Sequence, residues 1–466
     1  MIRVCLIFLF AAIHGHSAEK PNVLFLFSDD QSYEMVRANG YEGLETPNLD
    51  RLAATGTTFT HAYNMGSWSG AVCVASRAML ITGRSVWRAQ ELDGKMNQQV
   101  KARRLWPQRM ADAGYETYFT GKWHIRADAN QVFHHTANIR GGMPKDGNRG
   151  YNRPLIGEPD PWSPYDRSNG GFWSGGKHWS EVVADDAIGF LEAAKGSVKP
   201  FFMYIAFNAP HDPRQSPKEY VDKYPLDEVA VPRNFLPTYP YQNQIGCGPG
   251  LRDEKLAPFP RHEHAVKVHR QEYQAIVSHL DAQIGRILDA LEKSGKAGNT
   301  WIIFTSDHGL ACGQHGLMGK QNMYDHSLRV PFIVRGPGVK AGERCASPIY
   351  LQDAMATALD LAGAGADDGL EFKSLLPALS NDGEVGREEI YGAYLNLQRA
   401  VIHDGWKLIV YPKAKVVRLY HLSEDPLEMK DLAKDEAFAE RRKSLMKRLV
   451  SLQKAMDDRL DLSGFN

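Results

Sequence analysis

Three apolar runs in this chain each end in residues able to do chemistry. Val23-Leu24-Phe25-Leu26-Phe27 is closed by Ser28-Asp29-Asp30, Thr300-Trp301-Ile302-Ile303-Phe304-Thr305 by Ser306-Asp307-His308, and the run from Pro200 to Phe207 by Asn208-Ala209-Pro210-His211. Carboxylates are hard oxygen ligands that suit Ca2+ or Mg2+, and histidine is the usual proton carrier near neutral pH. Taken alone, Asp29-Asp30 is equally compatible with a solvated turn after a strand. A fourth element, Cys73-Val74-Ala75-Ser76-Arg77, places a cysteine at an expected helix start with an arginine one turn on. The amide field of a helix amino terminus and a guanidinium together favour an anionic nucleophile and an anionic substrate. A buried structural cysteine is the simpler reading of Cys73 in isolation.

The elements that must hold these residues follow from periodicity. Runs that are apolar throughout are strands covered on both faces, as in a parallel sheet between helices. Helical spacing appears at 47–55, 105–113, 182–194 and 273–294. Alternating strand and helix gives an α/β fold with a large, mostly parallel sheet sandwiched by helices. In such sheets ligands bind beyond the carboxyl ends of the strands, where Asp29, Asp30, His211, Asp307 and His308 all stand.

Two stretches, 138–177 and 239–264, are rich in Gly, Pro and aromatic residues without a sustained period, and are expected to be long ordered loops. From about residue 389 the pattern changes to short strands at 390–395, 399–403, 407–411 and 416–422, then a charged amphipathic helix over 437–460. This divides the chain into an export signal at 1–18, a catalytic α/β domain at 19–385 and a smaller carboxyl-terminal α+β subdomain at 386–466. The signal is read from Arg3, the apolar run Val4 to Ile13 and the small residues Ser17-Ala18, a run too short to span a bilayer. The chain should therefore be exported, periplasmic or secreted, with no membrane span.

The 466 residues carry 55 basic and 55 acidic side chains, so no general field draws the protein to nucleic acid, and anion binding must be local. Besides Cys5 in the signal and Cys73, only Cys247, Cys312 and Cys345 remain, which allows one intrachain pair and no disulfide scaffold.

The segment Cys73-Val74-Ala75-Ser76-Arg77, with Thr82-Gly83-Arg84 after it, resembles the signature of the type I, formylglycine-dependent sulfatases of the alkaline-phosphatase-like superfamily. The resemblance extends over nearly the whole mature chain. It takes in the Asp29-Asp30 strand, Thr46 to Ala53, Gly121-Lys122-Trp123-His124, Asn208 to His211, Phe304 to Gly316, Lys320, Arg329-Val330-Pro331, and Asp425 to Glu428 with Asp431-Leu432-Ala433. Ala75 stands where most members have proline.

The resemblance implies that Cys73 is matured to formylglycine by a formylglycine-generating or anaerobic sulfatase-maturating enzyme, its hydrate being the nucleophile. It implies one Ca2+ held by Asp29, Asp30, position 73, Asp307 and His308, the last fitting Ca2+ less naturally than an oxygen ligand. It further implies that Arg77 orients the nucleophile and that Lys122, Lys320 and His211 bind the sulfuryl group. His211 and His124 would be the leaving-group acid and the base that frees sulfate, in an order the sequence leaves open. His315 fits a structural hydrogen-bonding role, and Tyr324, Asp325 and His326 fit a supporting one. The His134-His135 pair lines the pocket or lies on the surface.

The expected activity is sulfuric ester hydrolysis on a sulfated carbohydrate, with marine galactans and glycosaminoglycans both compatible. Trp162, Trp173 and Trp179, near Arg153, Arg167 and His178, either stack sugar rings or pack their loop; under the first reading, substitution of Trp162 or Trp173 changes substrate preference. The alternatives are a phosphate or phosphonate monoesterase on the same scaffold, and a non-catalytic protein that binds sulfated glycans.

Overall fold

The computed structural model describes residues 19–147, 149–365, 369–380 and 386–465; the expected export signal lies outside them. An eight-stranded sheet runs in the order Glu343–Cys345, Thr57–Phe59, Phe332–Arg335, Thr300–Ser306, Asn22–Ser28, Phe201–Ala206, Glu116–Lys122, His135–Arg140. Only Phe332–Arg335 runs against its neighbours. The expected α/β architecture is therefore present: one large, mostly parallel sheet with helices on both faces.

Alternating side chains explain the layering. Leu24, Leu26, Met203 and Ile205 turn to one face with residues of the Pro47–Thr55, Trp179–Ala194 and Glu263–Lys293 helices. Val23, Phe25, Phe27, Phe202 and Tyr204 turn to the other, against the Val72–Thr82, Trp106–Asp112 and Asp353–Leu361 helices. Each such fully buried side chain contributes about 1.5–3 kcal/mol, so every central strand is fixed from both sides.

Register decides where the chemistry sits. Ser28 pairs with Ser306, Phe27 with Ala206, and Ala206 with Gly121, so four strands end level. Asp29-Asp30, Asp307-His308, Lys122 and the segment carrying His211 leave the sheet at one edge.

The Glu116–Lys122 strand has no continuous apolar run, because Thr117, Thr120 and Lys122 are polar yet buried. Gly121 adopts φ +97°, and a Cβ there would lie 1.8 Å from the Ala206 carbonyl oxygen, so only glycine allows this strand to pair beside Lys122.

The strands expected near the carboxyl terminus form at Glu389–Tyr394, Gln398–His403, Trp406–Tyr411 and Val416–His421, an antiparallel meander. Gly66–Ser67 adds a fifth, parallel strand, so this sheet also grips the approach to Cys73. The last long helix covers Ala439–Ala455, shorter than its sequence pattern. Beyond it Asp458 turns back to accept from Arg399 at 2.6 and 2.8 Å.

Cys247, Cys312 and Cys345 are all unpaired. No helix among the described residues is long and apolar enough to cross a membrane.

Candidate active site

Cys73 occupies the second position of the Val72–Thr82 helix and is buried. Its Sγ lies 3.3 Å from Asp29 Oδ1, 3.3 Å from His308 Nε2, 3.4 Å from Lys320 Nζ and 3.8 Å from Asp30 Oδ1. Burial pushes the thiol pKa up, but Lys122, Lys320 and His308, with a hydrogen bond to His124, draw it well below its ordinary value. The position thus favours negative charge at the side-chain tip.

Arg77 lies one turn along the same helix and reaches back beneath the nucleophile. Its Nε donates to Asp307 Oδ2 at 3.2 Å and its Nη1 to the Lys122 carbonyl at 2.9 Å, while Nη2 makes no hydrogen bond. Asp307 is held through its backbone as well, its carbonyl accepting from Asn64 Nδ2 at 2.6 Å and Ser76 Oγ at 2.7 Å.

The five residues expected to hold a metal do come together. Asp29, Asp30, Cys73, Asp307 and His308 bring one ligand atom each within 4.8 Å of one another, and all five are buried. His308 donates through Nδ1 to the Gly309 carbonyl at 2.8 Å, which turns Nε2 toward Asp30 and Cys73. Burial and the neighbouring Asp307 and Cys73 raise the Asp29 carboxyl well above its usual range despite Lys122. A divalent cation would relieve that crowding, so the donor set fits a hard cation such as Ca2+.

Lysines flank the carboxylates: Lys122 donates to Asp29 Oδ2, and Lys320 to Asp30 Oδ2 at 2.8 Å and Oδ1 at 3.0 Å. Lys320 Nζ also lies within hydrogen-bond distance of His211 Nε2, at 3.0 Å. Asp30, His211 and Asp212 form a second group of close ligand atoms, but the Lys320 ammonium already stands between Asp30 and His211. His124 adopts φ +54°, is partly buried, and leaves Nδ1 without a hydrogen bond.

Other residues singled out in the sequence lie elsewhere. Trp162 and Trp173 are 5% and 4% exposed; the first packs under the Arg153 guanidinium, and the second donates through Nε1 to the Pro164 carbonyl. Arg153 is itself buried against Glu272 and Asp160, and His178 accepts the Ser180 amide at the start of its helix. The Arg140 guanidinium covers Trp179, 4.0 Å from its ring centroid. Trp162 and Trp173 are thus buried in the packing of the loop, which removes the ground for a substrate-preference role at either, while Trp179 is half-buried beneath Arg140. His134 and His135 flank Glu116 at the opposite end of its strand from Lys122. His315 stacks on Tyr324 with centroids 4.0 Å apart, away from the nucleophile.

Sequence reasoning missed Asp212, Tyr151, Arg252 and Asp253, which gather behind His211 and Lys320. The one available signal was the position of Asp212 beside His211.

Residues 21–364 match the sulfatase family model. The chain belongs to the sulfatase family. It is an enzyme of the alkaline-phosphatase-like superfamily, and residues 313–455 of this sulfatase also match a model described as N-sulphoglucosamine sulphohydrolase, C-terminal. An arylsulfatase of Clostridium perfringens is 28% identical, the alignment covering 94% of this chain and 96% of the relative. An N-acetylglucosamine-6-O-sulfatase of Bacteroides thetaiotaomicron is 25% identical, over 94% and 87%. Among solved structures, a protein in complex with its substrate D-glucosamine-2-N,6-O-disulfate superposes with TM-score 0.73 at 23% identity, over 94% of this chain and 99% of that one. A phosphonate monoester hydrolase from Silicibacter pomeroyi shares the fold with TM-score 0.71 at 19% identity, over 94% and 96%.

Proposed function

We propose that this sulfatase removes O-sulfate from a sulfated carbohydrate, using position 73 after its maturation to formylglycine by a dedicated oxidising enzyme. The observation that carries the reading is the placement of the Cys73 tip, buried at a helix amino terminus with carboxylate, imidazole and ammonium groups all within 3.4 Å. The side chain of the unmatured cysteine stands where the oxygens of the aldehyde hydrate would lie.

Matured, position 73 supplies a hydroxyl nucleophile for sulfur and a second hydroxyl from which the aldehyde is recovered. Asp29, Asp30, Asp307 and His308 would hold Ca2+, which neutralises charge on the sulfuryl oxygens. Lys122 and Lys320 bind those oxygens from opposite sides, and Arg77 orients the nucleophile through its fixed bonds to Asp307 and the Lys122 carbonyl. His211 Nε2, beside Lys320, protonates the departing ester oxygen. His124, beside position 73, takes the proton of the second hydroxyl as sulfate leaves. The helix dipole and these cations suit the single negative charge of a sulfate ester.

A hexosamine or glycosaminoglycan-type substrate is supported by the N-acetylglucosamine-6-O-sulfatase among the relatives and by the glucosamine disulfate bound to the similar structure. The export expected from residues 1–18 would agree with a polymeric substrate. A phosphonate or phosphate monoesterase is the second reading, because a phosphonate monoester hydrolase shares the fold nearly as closely as the sugar-binding structure does.

Mass spectrometry of the tryptic peptide Leu52–Arg77, from a host with a maturation enzyme, tests the mechanism; parallel sulfate and phosphate release from aryl esters tests the reaction. An aldehyde at position 73 with preferential sulfate release is the expected result. An unmodified cysteine in such a host, or faster phosphate release, overturns the reading.

A further inference from the structure

The region behind His211 is built more carefully than a loop requires. Nδ1 of His211 donates to the Asp212 backbone carbonyl at 2.8 Å and lies 3.1 Å from the carboxylate oxygen Asp212 Oδ1. Asp212 is 3% exposed, and a carboxylate that deeply placed costs several kcal/mol unless it is paired. Its partners come from the two stretches without sequence periodicity. Tyr151, from the first, donates to Asp212 Oδ2 at 3.0 Å; Arg252, from the second, approaches Oδ1 with Nη2 at 3.5 Å. Arg252 is anchored in turn by Nε on Asp253 Oδ1 at 2.8 Å, and the other oxygen of Asp253 faces Lys320 Nζ at 3.9 Å.

No strand or helix contains Asp212, so the fold itself does not call for its burial. What the arrangement does fix is the imidazole. With Nδ1–H held by Asp212, the ring can present only Nε2 to the nucleophile side, where it meets Lys320.

We propose that Asp212 is the positioning residue for leaving-group departure, with Tyr151 and Arg252 fixing its carboxylate so that His211 Nε2 faces the departing ester oxygen. The inference rests on the reaction proposed above. As the position-73 hydroxyl gives up its proton to solvent and its oxygen bonds to sulfur, the ester sulfur–oxygen bond breaks with its electron pair on the departing oxygen, and the proton shared between Lys320 Nζ and His211 Nε2 passes to that oxygen. The Nδ1–H remains with Asp212, and water restores the lost proton to the Lys320–His211 pair. Acid assistance of this kind contributes about 10²–10⁴-fold in rate and matters most when the leaving group is a poor one.

The test compares matured wild-type enzyme with Asp212→Asn and Tyr151→Phe on 4-nitrophenyl sulfate, a good leaving group, and 4-methoxyphenyl sulfate, a poor one. Asp212→Asn is expected to lower kcat for the methoxy ester at least about 10-fold more than for the nitro ester, with KM little changed. Tyr151→Phe should act in the same direction and less strongly. Equal losses on both esters, or none, overturn the proposal, and Tyr151→Phe decides it should Asp212→Asn fail to fold. Wild-type protein that carries formylglycine yet releases no sulfate from either aryl ester or a sugar sulfate would instead defeat the proposed function.

Discussion

The backbone amide of Asp30 donates to Oδ1 of Asp307 at 3.1 Å, joining two strand ends that lie 277 residues apart in sequence. Asp30 adopts φ +67° at this point, a conformation that few non-glycine residues take and that turns its carboxylate toward Lys320 and His308. One carboxylate oxygen of Asp307 therefore sets the shape of the first loop while the other holds Arg77.

This dual role separates two substitutions. Asp307→Asn keeps an amide oxygen to accept from Asp30 but loses the charge; Asp307→Ala loses both. Each is expected to lower bound Ca2+, read by elemental analysis, and to reduce activity at least about 100-fold, given that even supporting residues of metal sites cost 10–100-fold. Asp307→Ala should in addition lower the melting temperature, because the Asp30 amide and Arg77 lose a buried acceptor.

Cys73→Ala removes the nucleophile, while Asp29 keeps Lys122, and Lys320 and His308 keep Asp30, as charged partners. Turnover is expected to fall more than about 1,000-fold, as for loss of other catalytic nucleophiles, with an unchanged circular dichroism spectrum. Sulfate release near the wild-type rate would show that position 73 does not attack sulfur.

The extent to which the sequence revealed this site follows from physical causes. Asp29, Asp30, His211, Asp307 and His308 were visible because each follows a continuous apolar run, and level strand ends then bring them together. Lys122 was reached only through the family motif. Its strand is interrupted by buried Thr117 and Thr120, and periodicity cannot register a polar residue whose partner, Asp186 for Thr120, lies on another element. Tyr151 and Arg252 were invisible for the same reason in a stronger form: their positions are set by hydrogen bonds to Asp212 and Asp253 rather than by any repeat. The tryptophans misled in the opposite sense, since the loop rich in Gly and Pro buries them, Trp162 under Arg153 and Trp173 against His178, while Phe172 joins the main core.

Trp173→Ala tests that last point. The ring is nearly inaccessible and lies edge-on to His178 at 5.0 Å between centroids. Its removal should destabilise the protein by about 3–5 kcal/mol, seen as a lower denaturant midpoint. The ratio of kcat/KM values for two sulfated sugars should remain within a factor of about 3, because discrimination comes from contacts made to the substrate and this ring is spent on packing the loop.

Lys407 is fully buried between two acids, with Nζ 2.6 Å from Asp325 Oδ1 and 2.7 Å from Glu428 Oε1. One ammonium shared by two carboxylates cannot satisfy both equally. Asp325 is held below its usual range, burial being outweighed by Lys407 and Arg329, while burial pushes Glu428 up to about 7 against the pull of Lys407. In the unfolded chain Glu428 titrates at about 4.3. Between those values the folded protein binds the additional proton, so this residue's stabilising contribution is complete below about pH 4.3 and is lost as the pH rises through about 7. Glu428→Gln removes the titration. The stability difference between the variant and wild type, from urea unfolding, should therefore shift in the variant's favour as the pH rises from 5 to 8. A difference that stays constant across that range would show that Glu428 keeps an ordinary carboxylate pKa beside Lys407.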